Sequence, residues 1–214
     1  MLGLDPSLTN FGWALHNDSA VVGTPQRCIA HGRFQTPGSQ EFILRYVSQR
    51  NSLRALIQKY GVTRVGLEFP VFDQLWSEGM YGLFLFVCEA LREEKCDVVF
   101  WTPMQVKAHA REHFVDEHGA PCRPLKWKME KPDMVEAAAH DVGGKSWNHN
   151  EADAYLVGVL GARFWKFLDG DLPAGDLTET ETRYFTEVKV PKVGKTIKKG
   201  LIYRENERFF AWSQ

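Results

Sequence analysis

Apolar and polar positions alternate in three short stretches at the start of the chain, residues 1–5, 11–16 and 27–36. That two-residue period predicts three strands joined by two antiparallel hairpins. The period then lengthens. Phe42, Ile43, Tyr46, Val47, Leu53, Leu56, Ile57 and Tyr60 recur at helical spacing, with Ser39 placed to cap the start and Gly61 the end. A fourth strand follows over 63–69, a helix through Met80, Leu83, Phe84, Val87, Cys88 and Leu91, and a fifth strand over 97–101. Thr102-Pro103 has the N-cap and first-turn chemistry of a third helix, running through Val106 and Phe114. Residues 116–131 read as a loop; Lys131-Pro132 opens a fourth helix, and a fifth begins near Asn150 and carries Tyr155, Leu156, Leu160 and Phe164. The order β-β-β-α-β-α-β-α-α-α predicts an α/β fold, a mixed five-stranded sheet flanked by helices.

Past residue 168 the pattern changes. Residues 169–182 are acidic and rich in Gly and Pro, and read as a linker. Residues 183–214 alternate again and are expected to form a small C-terminal β-ribbon around a basic loop. Phe209, Phe210 and Trp212 would dock the ribbon on the body 1–168, since a hairpin alone is marginally stable.

Charge sharpens this division. The net charge is −1, but eight of the 26 Lys and Arg and only three of the 27 acids lie from Arg183 onward. A tail of +5 therefore follows a body of −6, which points to an acidic or nucleic-acid partner for the tail. No apolar run approaches the roughly 18 residues of a membrane span, and no signal peptide is expected. Cys28, Cys88, Cys96 and Cys122 form no metal-binding spacing and read as reduced, which favours a cytoplasmic setting.

Three acids stand out by position. Asp5 ends the first strand, Glu68 nearly ends the fourth, and Asp153 sits near the start of the last long helix. If the first and fourth strands are parallel neighbours, Asp5 and Glu68 meet at the sheet end where ligands bind in open α/β sheets, and a helix crossing there adds Asp153. Clustered carboxylates repel and call for a cation; oxygen donors favour Mg²⁺ or Mn²⁺. Two such ions about 3.5–4 Å apart suit phosphodiester hydrolysis.

These segments resemble a family. Leu2-Gly3-Leu4-Asp5-Pro6-Ser7-Leu8-Thr9 with Gly12-Trp13-Ala14 is similar to the opening motif of the RuvC-like Holliday junction resolvases, within the RNase H-like nucleases. Val65-Gly66-Leu67-Glu68 resembles the strand that carries the family's catalytic Glu. Trp101-Thr102-Pro103-Met104-Gln105-Val106-Lys107 resembles its Pro-x-x-Val-Lys segment, and Lys131-Pro132-Asp133-Met134-Val135 the Lys that opens its next helix. Asn150-Glu151-Ala152-Asp153-Ala154-Tyr155-Leu156 resembles its closing acidic helix, and also the RuvC-type domain of RNA-guided CRISPR effectors.

The resemblance covers residues 1–168. It implies an RNase H-like fold, two Mg²⁺ ions per site, a homodimer and four-way DNA junctions as substrate. The basic tail departs from the bacterial pattern and suggests a phage-type member, acting in the cytoplasm of a bacterium or a phage-infected host. Asp5, Glu68 and Asp153 are the expected ligands. A fourth comes from His149, Asn150 or Glu151: His149 lies about 40° from Asp153 on a regular helix, while Glu151 can turn inward if the helix starts at Ala152. The oxygen preference of the ions favours Glu151. Lys107 and Lys131 are expected on phosphate, with Lys131 also in catalysis. Phe69 or Phe72 would stack on bases, and Lys192, Lys195, Lys198 and Lys199 would grip DNA. Two other readings are a nuclease for RNA–DNA hybrids and a non-catalytic protein that binds branched nucleic acid.

Overall fold

Alternation along the strands decides which side of the sheet each helix covers. The computed structural model describes residues 1–17, 19–20, 24–69, 78–113, 128–144, 147–185 and 202–203. Within them, β1 (Leu2–Asp5), β2 (Asn10–His16), β3 (Cys28–Gln35), β4 (Arg64–Glu68), β5 (Asp97–Trp101) and β6 (Ile202–Tyr203) form one sheet in the order β3-β2-β1-β4-β5-β6. β1, β4 and β5 are parallel; β2, β3 and β6 run against their neighbours.

Leu2 and Leu4 of β1, Phe11 and Leu15 of β2, Val65 and Leu67 of β4, and Val98 and Phe100 of β5 share one face. That face packs on α1 (Phe42–Tyr60) and α2 (Glu78–Glu93). The alternate residues Ala14, Val99 and Trp101 face the other way. There they meet α3 (Pro103–His113), α4 (Lys131–Asp141), α5 (His149–Asp169) and α6 (Glu179–Phe185). Two cores thus sandwich the sheet.

Helix ends show local chemistry overriding periodicity. Gly61 ends α1 in the left-handed conformation as expected, but the N-cap is Glu41, not Ser39, because residues 37–40 close a turn (Gln40 N–H to the Pro37 carbonyl, 3.1 Å). Thr102 and Gln105 form a reciprocal capping box at the start of α3 (2.9 and 3.3 Å). α5 starts at His149, with the Asn148 side chain accepting from the Asn150 N–H at 3.1 Å.

The stretch expected as a linker is built into the body. Thr178 and Glu181 make a capping box (3.0 and 3.2 Å) that opens α6. Phe185, expected in a strand, packs in the core with ring centroids 5.2 Å from Phe164 and 5.9 Å from Trp101. The fully buried Glu181 carboxylate receives Arg163 at 2.8 Å, and the Glu112 carboxylate accepts the Thr180 N–H at 3.1 Å. The Thr-x-x-Glu signature at 178–181 is the local signal for this helix, set within a stretch whose acid and Gly/Pro content reads as a linker.

Of the expected ribbon, Ile202 and Tyr203 pair with Val99 and Val98, so they extend the main sheet as a sixth strand. Residues 186–201 and 204–214 of that ribbon, including Lys192, Lys195, Lys198, Lys199, Phe209, Phe210 and Trp212, lie outside the described residues. Cys28, Cys88 and Cys96 are free thiols. No helix among the described residues is long and apolar enough to cross a membrane.

Candidate active site

Three glycines let α5 lie directly on the strands. A side chain at Gly12 would collide with the Asn150 carbonyl, one at Gly3 with the Ala154 carbonyl, and one at Gly66 with the Val157 carbonyl. α5 thereby crosses β2, β1 and β4 in turn, and Asp153 falls between the first two crossing points. Asp5 and Glu68 come one position after the paired Leu4 and Leu67, so both project on the α5 face at the carboxyl ends of β1 and β4.

The three acids perturb one another. Burial pushes the Asp5 carboxyl well above the usual range, and Glu68 and Asp153 push it further, against Lys131. Burial raises Glu68 to about 8, with Asp153 adding to it and Lys107 opposing. Burial raises Asp153 to about 6, opposed by Lys107 and Lys131. All three keep partial solvent access. Lys107 lies on α3, and Lys131 is exposed in the first turn of α4. The fold thus brings Asp5, Glu68, Asp153, Lys107 and Lys131 into one cluster.

The neighbours of Asp153 divide differently from expectation. Glu151 does not join the acids. Its carboxylate pairs with His31 Nδ1 at 2.6 Å and with Arg33 Nε at 3.1 Å, both on β3. The condition that would turn it inward, a helix starting at Ala152, is not met, because α5 is already regular from His149. Asn150 spends its side-chain amide on the Asn10 carbonyl. His149 remains, one turn before Asp153. Burial first, then Lys131 and Arg33, lower its pKa, which favours the neutral imidazole that ligates metals.

Phe69 packs edge-on against Phe84 (5.4 Å) and Phe100 (5.8 Å), so it belongs to the core. Phe72 lies outside the described residues. Arg33 and His31 were missed, since only the register of β3 brings them to this face.

Among the described residues no three His, Cys, Asp or Glu side chains converge into a ready-made metal cage. The donor set still fits a hard divalent cation: three carboxylates raised by burial and mutual repulsion are the arrangement such a charge would relieve.

A mixed sheet in this strand order, flanked by helices and carrying acids at the ends of β1 and β4, defines an RNase H-like α/β fold. Within that class, the chain shares the fold of RuvC. The Thermus thermophilus RuvC structure superposes with a TM-score of 0.59 at 16% identity, covering 79% of this chain and 97% of that one. T. thermophilus RuvC in complex with a Holliday junction substrate gives 0.56 at 17%, covering 79% and 96%. No protein-family model and no curated protein sequence matches the chain.

Proposed function

We propose that this protein is a Mg²⁺-dependent, structure-selective endonuclease that cleaves branched DNA such as four-way junctions, acting as a homodimer. The observation that carries the reading is the cluster Asp5–Glu68–Asp153 with Lys107 and Lys131, set at the carboxyl end of a RuvC-like sheet. Asp5, Glu68 and Asp153 would hold the cations, with His149 as the fourth donor. Bound divalent ions would supply Lewis-acid activation of water and of the phosphodiester. Lys107 and Lys131 offset the negative charge of the acids and would hold the phosphate, Lys131 from the N-terminal turn of α4.

The basic tail is assigned to non-specific phosphate contacts through Lys192, Lys195, Lys198 and Lys199. β6 runs antiparallel to β5, so the chain enters it from the carboxyl end of the sheet, where the acids stand. That direction supports a tail working beside the cleft.

The deciding experiment presents a four-way junction, a linear duplex and an RNA–DNA hybrid to the protein with Mg²⁺. Symmetric nicking of the junction alone is expected. Preferential cutting of the RNA strand in the hybrid would reassign the site to hybrid hydrolysis. Junction binding without cleavage at any Mg²⁺ or Mn²⁺ concentration would leave a non-catalytic binding protein.

A further inference from the structure

The catalytic row of the sheet does not stop at Asp5. Asp5 pairs in register with Gly12 of β2, and Gly12 pairs with Arg33 of β3. Residues opposite one another in neighbouring strands project on the same face, so Arg33 shares the face of Asp5 and Glu68. It stands two strands from Asp5, about 10 Å across the sheet. Gly12, between them, is covered by the α5 backbone at Asn150, so Arg33 lies on the far side of the α5 N-terminus from Asp5. Lys107 on α3 and Lys131 on α4 border the acids, and Arg33 adds a third cation on the same face of the sheet, two strands further out.

Arg33 is held in an unusual way for a surface arginine. Its Nε donates to Glu151 Oε1 at 3.1 Å, while the other carboxylate oxygen of Glu151 is held by His31 Nδ1 at 2.6 Å. The His31 ring lies on Trp147 with centroids 4.4 Å apart. The carboxylate is thus fixed from two sides, and it fixes the guanidinium at Nε. The two terminal amino groups of Arg33 make no hydrogen bond among the described residues, and the side chain is 31% exposed. A guanidinium tied at Nε with its terminal groups unused is prepared for a two-pronged anionic acceptor, such as the two non-bridging oxygens of a phosphodiester.

We infer that Arg33 binds a backbone phosphate of the nucleic-acid substrate beside the scissile one, and that Glu151 is the positioning residue that orients it. The assignment rests on the acid cluster being a nucleic-acid site. It gives Glu151 a role other than metal ligation, and makes β3 the far wall of the cleft.

Binding of a synthetic four-way junction is measured in EDTA across a salt series, where no cleavage intervenes. Arg33→Ala is expected to lower the negative slope of log affinity against log salt by about 0.9, the signature of one lost phosphate contact. That corresponds to a roughly threefold smaller loss of affinity between about 50 and 200 mM salt. Arg33→Lys keeps the charge, so it should keep the slope while losing affinity, and it also controls for folding. Glu151→Ala should weaken binding when Arg33 is present and not when residue 33 is Ala. With Mg²⁺, Arg33→Ala and Glu151→Ala should each raise KM more than they lower kcat, and leave the Mg²⁺ requirement unchanged.

Three results overturn the inference. One is an unchanged slope in Arg33→Ala. Another is tighter binding in Glu151→Ala, as expected of an acid that merely repels DNA. The third is a raised Mg²⁺ requirement in Glu151→Ala, as expected of a ligand. Any of these with junction cleavage intact removes Arg33 or Glu151 alone. Failure of the unaltered protein to bind junction, duplex or hybrid removes the nuclease reading as well.

Discussion

Asp5, Glu68 and Asp153 are costly to keep ionised together, and that cost predicts how they behave. Each of Asp5→Asn, Glu68→Gln and Asp153→Asn is expected to abolish junction cleavage while leaving junction binding near the unaltered level, because phosphate contacts come from the basic groups. Gel shift and nicking assays on the same preparations check both halves; full activity in one variant at saturating Mg²⁺ removes that residue from the mechanism. The pH dependence follows from the same shifts. Folding raises Glu68 from 4.5 to about 8 and Asp153 from 3.8 to about 6, so the folded state binds protons more tightly than the unfolded chain. In EDTA, their contribution to stability is complete below those ordinary values and is lost as pH rises towards about 6 for Asp153 and about 8 for Glu68. Buried His16, lowered from 6.5 to about 3 and bonded to the Tyr155 carbonyl at 2.7 Å, works the other way: its contribution is lost as pH falls below 6.5. Thermal melts between pH 7 and 8.5 therefore lie above the Asp153 range and report Glu68, together with any part of Asp5, which burial also raises. The expected fall in Tm should shrink in Glu68→Gln and be opposed by added Mg²⁺.

Among the elements, α5 carries the site because it can touch the sheet. Its contact with β1 depends on Gly3, where a methyl group would run into the Ala154 carbonyl, a backbone atom that cannot rotate away. Gly3→Ala is expected to cost about 3 kcal/mol, a Tm loss of roughly 6–12 °C, and to lift Asp153 from Asp5 so that cleavage falls even at temperatures where the protein stays folded. Calorimetry with a cleavage assay tests the pairing of the two losses. α6 makes a separate case. Glu181 is buried with Arg163 bound to it, and Arg163 is partly exposed. Glu181→Ala should destabilise by the lower end of about 3–5 kcal/mol, since water can still reach the stranded arginine. Denaturant melts that show no loss would mean that α6 contributes little to the body.

For the whole molecule, the separation of charge is the main functional expectation. On the proposed reading an acidic body performs the chemistry and a basic end supplies affinity. Replacing Lys192, Lys195, Lys198 and Lys199 together by Ala should flatten the salt slope by about two to three and a half units if most of them meet phosphate. Affinity for the junction and for plain duplex should fall together, because phosphate contacts do not read sequence. Mass measured in solution separates this from a tail that completes a homodimer: an unchanged slope with the dimer intact ends the DNA-gripping role, and conversion to monomers assigns the tail to assembly. RuvC is covered almost completely by the superposition while about a fifth of this chain is not, so this chain carries more than the shared fold.

The linear chain determined the first five strands, the first five helices and the positions of the three acids. Period-two and period-3.6 patterns are local, and a carboxylate ending an apolar strand is conspicuous wherever the strand later lies. Lys107 and Lys131 were legible for a similar reason, each sitting in a helix-opening segment. What sequence could not settle were choices among groups equally placed along the chain. Glu151 and His149 lie on either side of Asn150, and only the start of α5 at His149, with His31 and Arg33 waiting on β3, sends the Glu151 carboxylate away from the acids. Arg33 is 28 residues from Asp5 in sequence but two strands away in space, a proximity that exists only once β1, β2 and β3 are in register. α6 was hidden by its composition, because burying Glu181 requires an Arg163 that only tertiary folding brings to it. Pairings across strands and between helices are long-range, and their partners become defined only when the chain closes on itself.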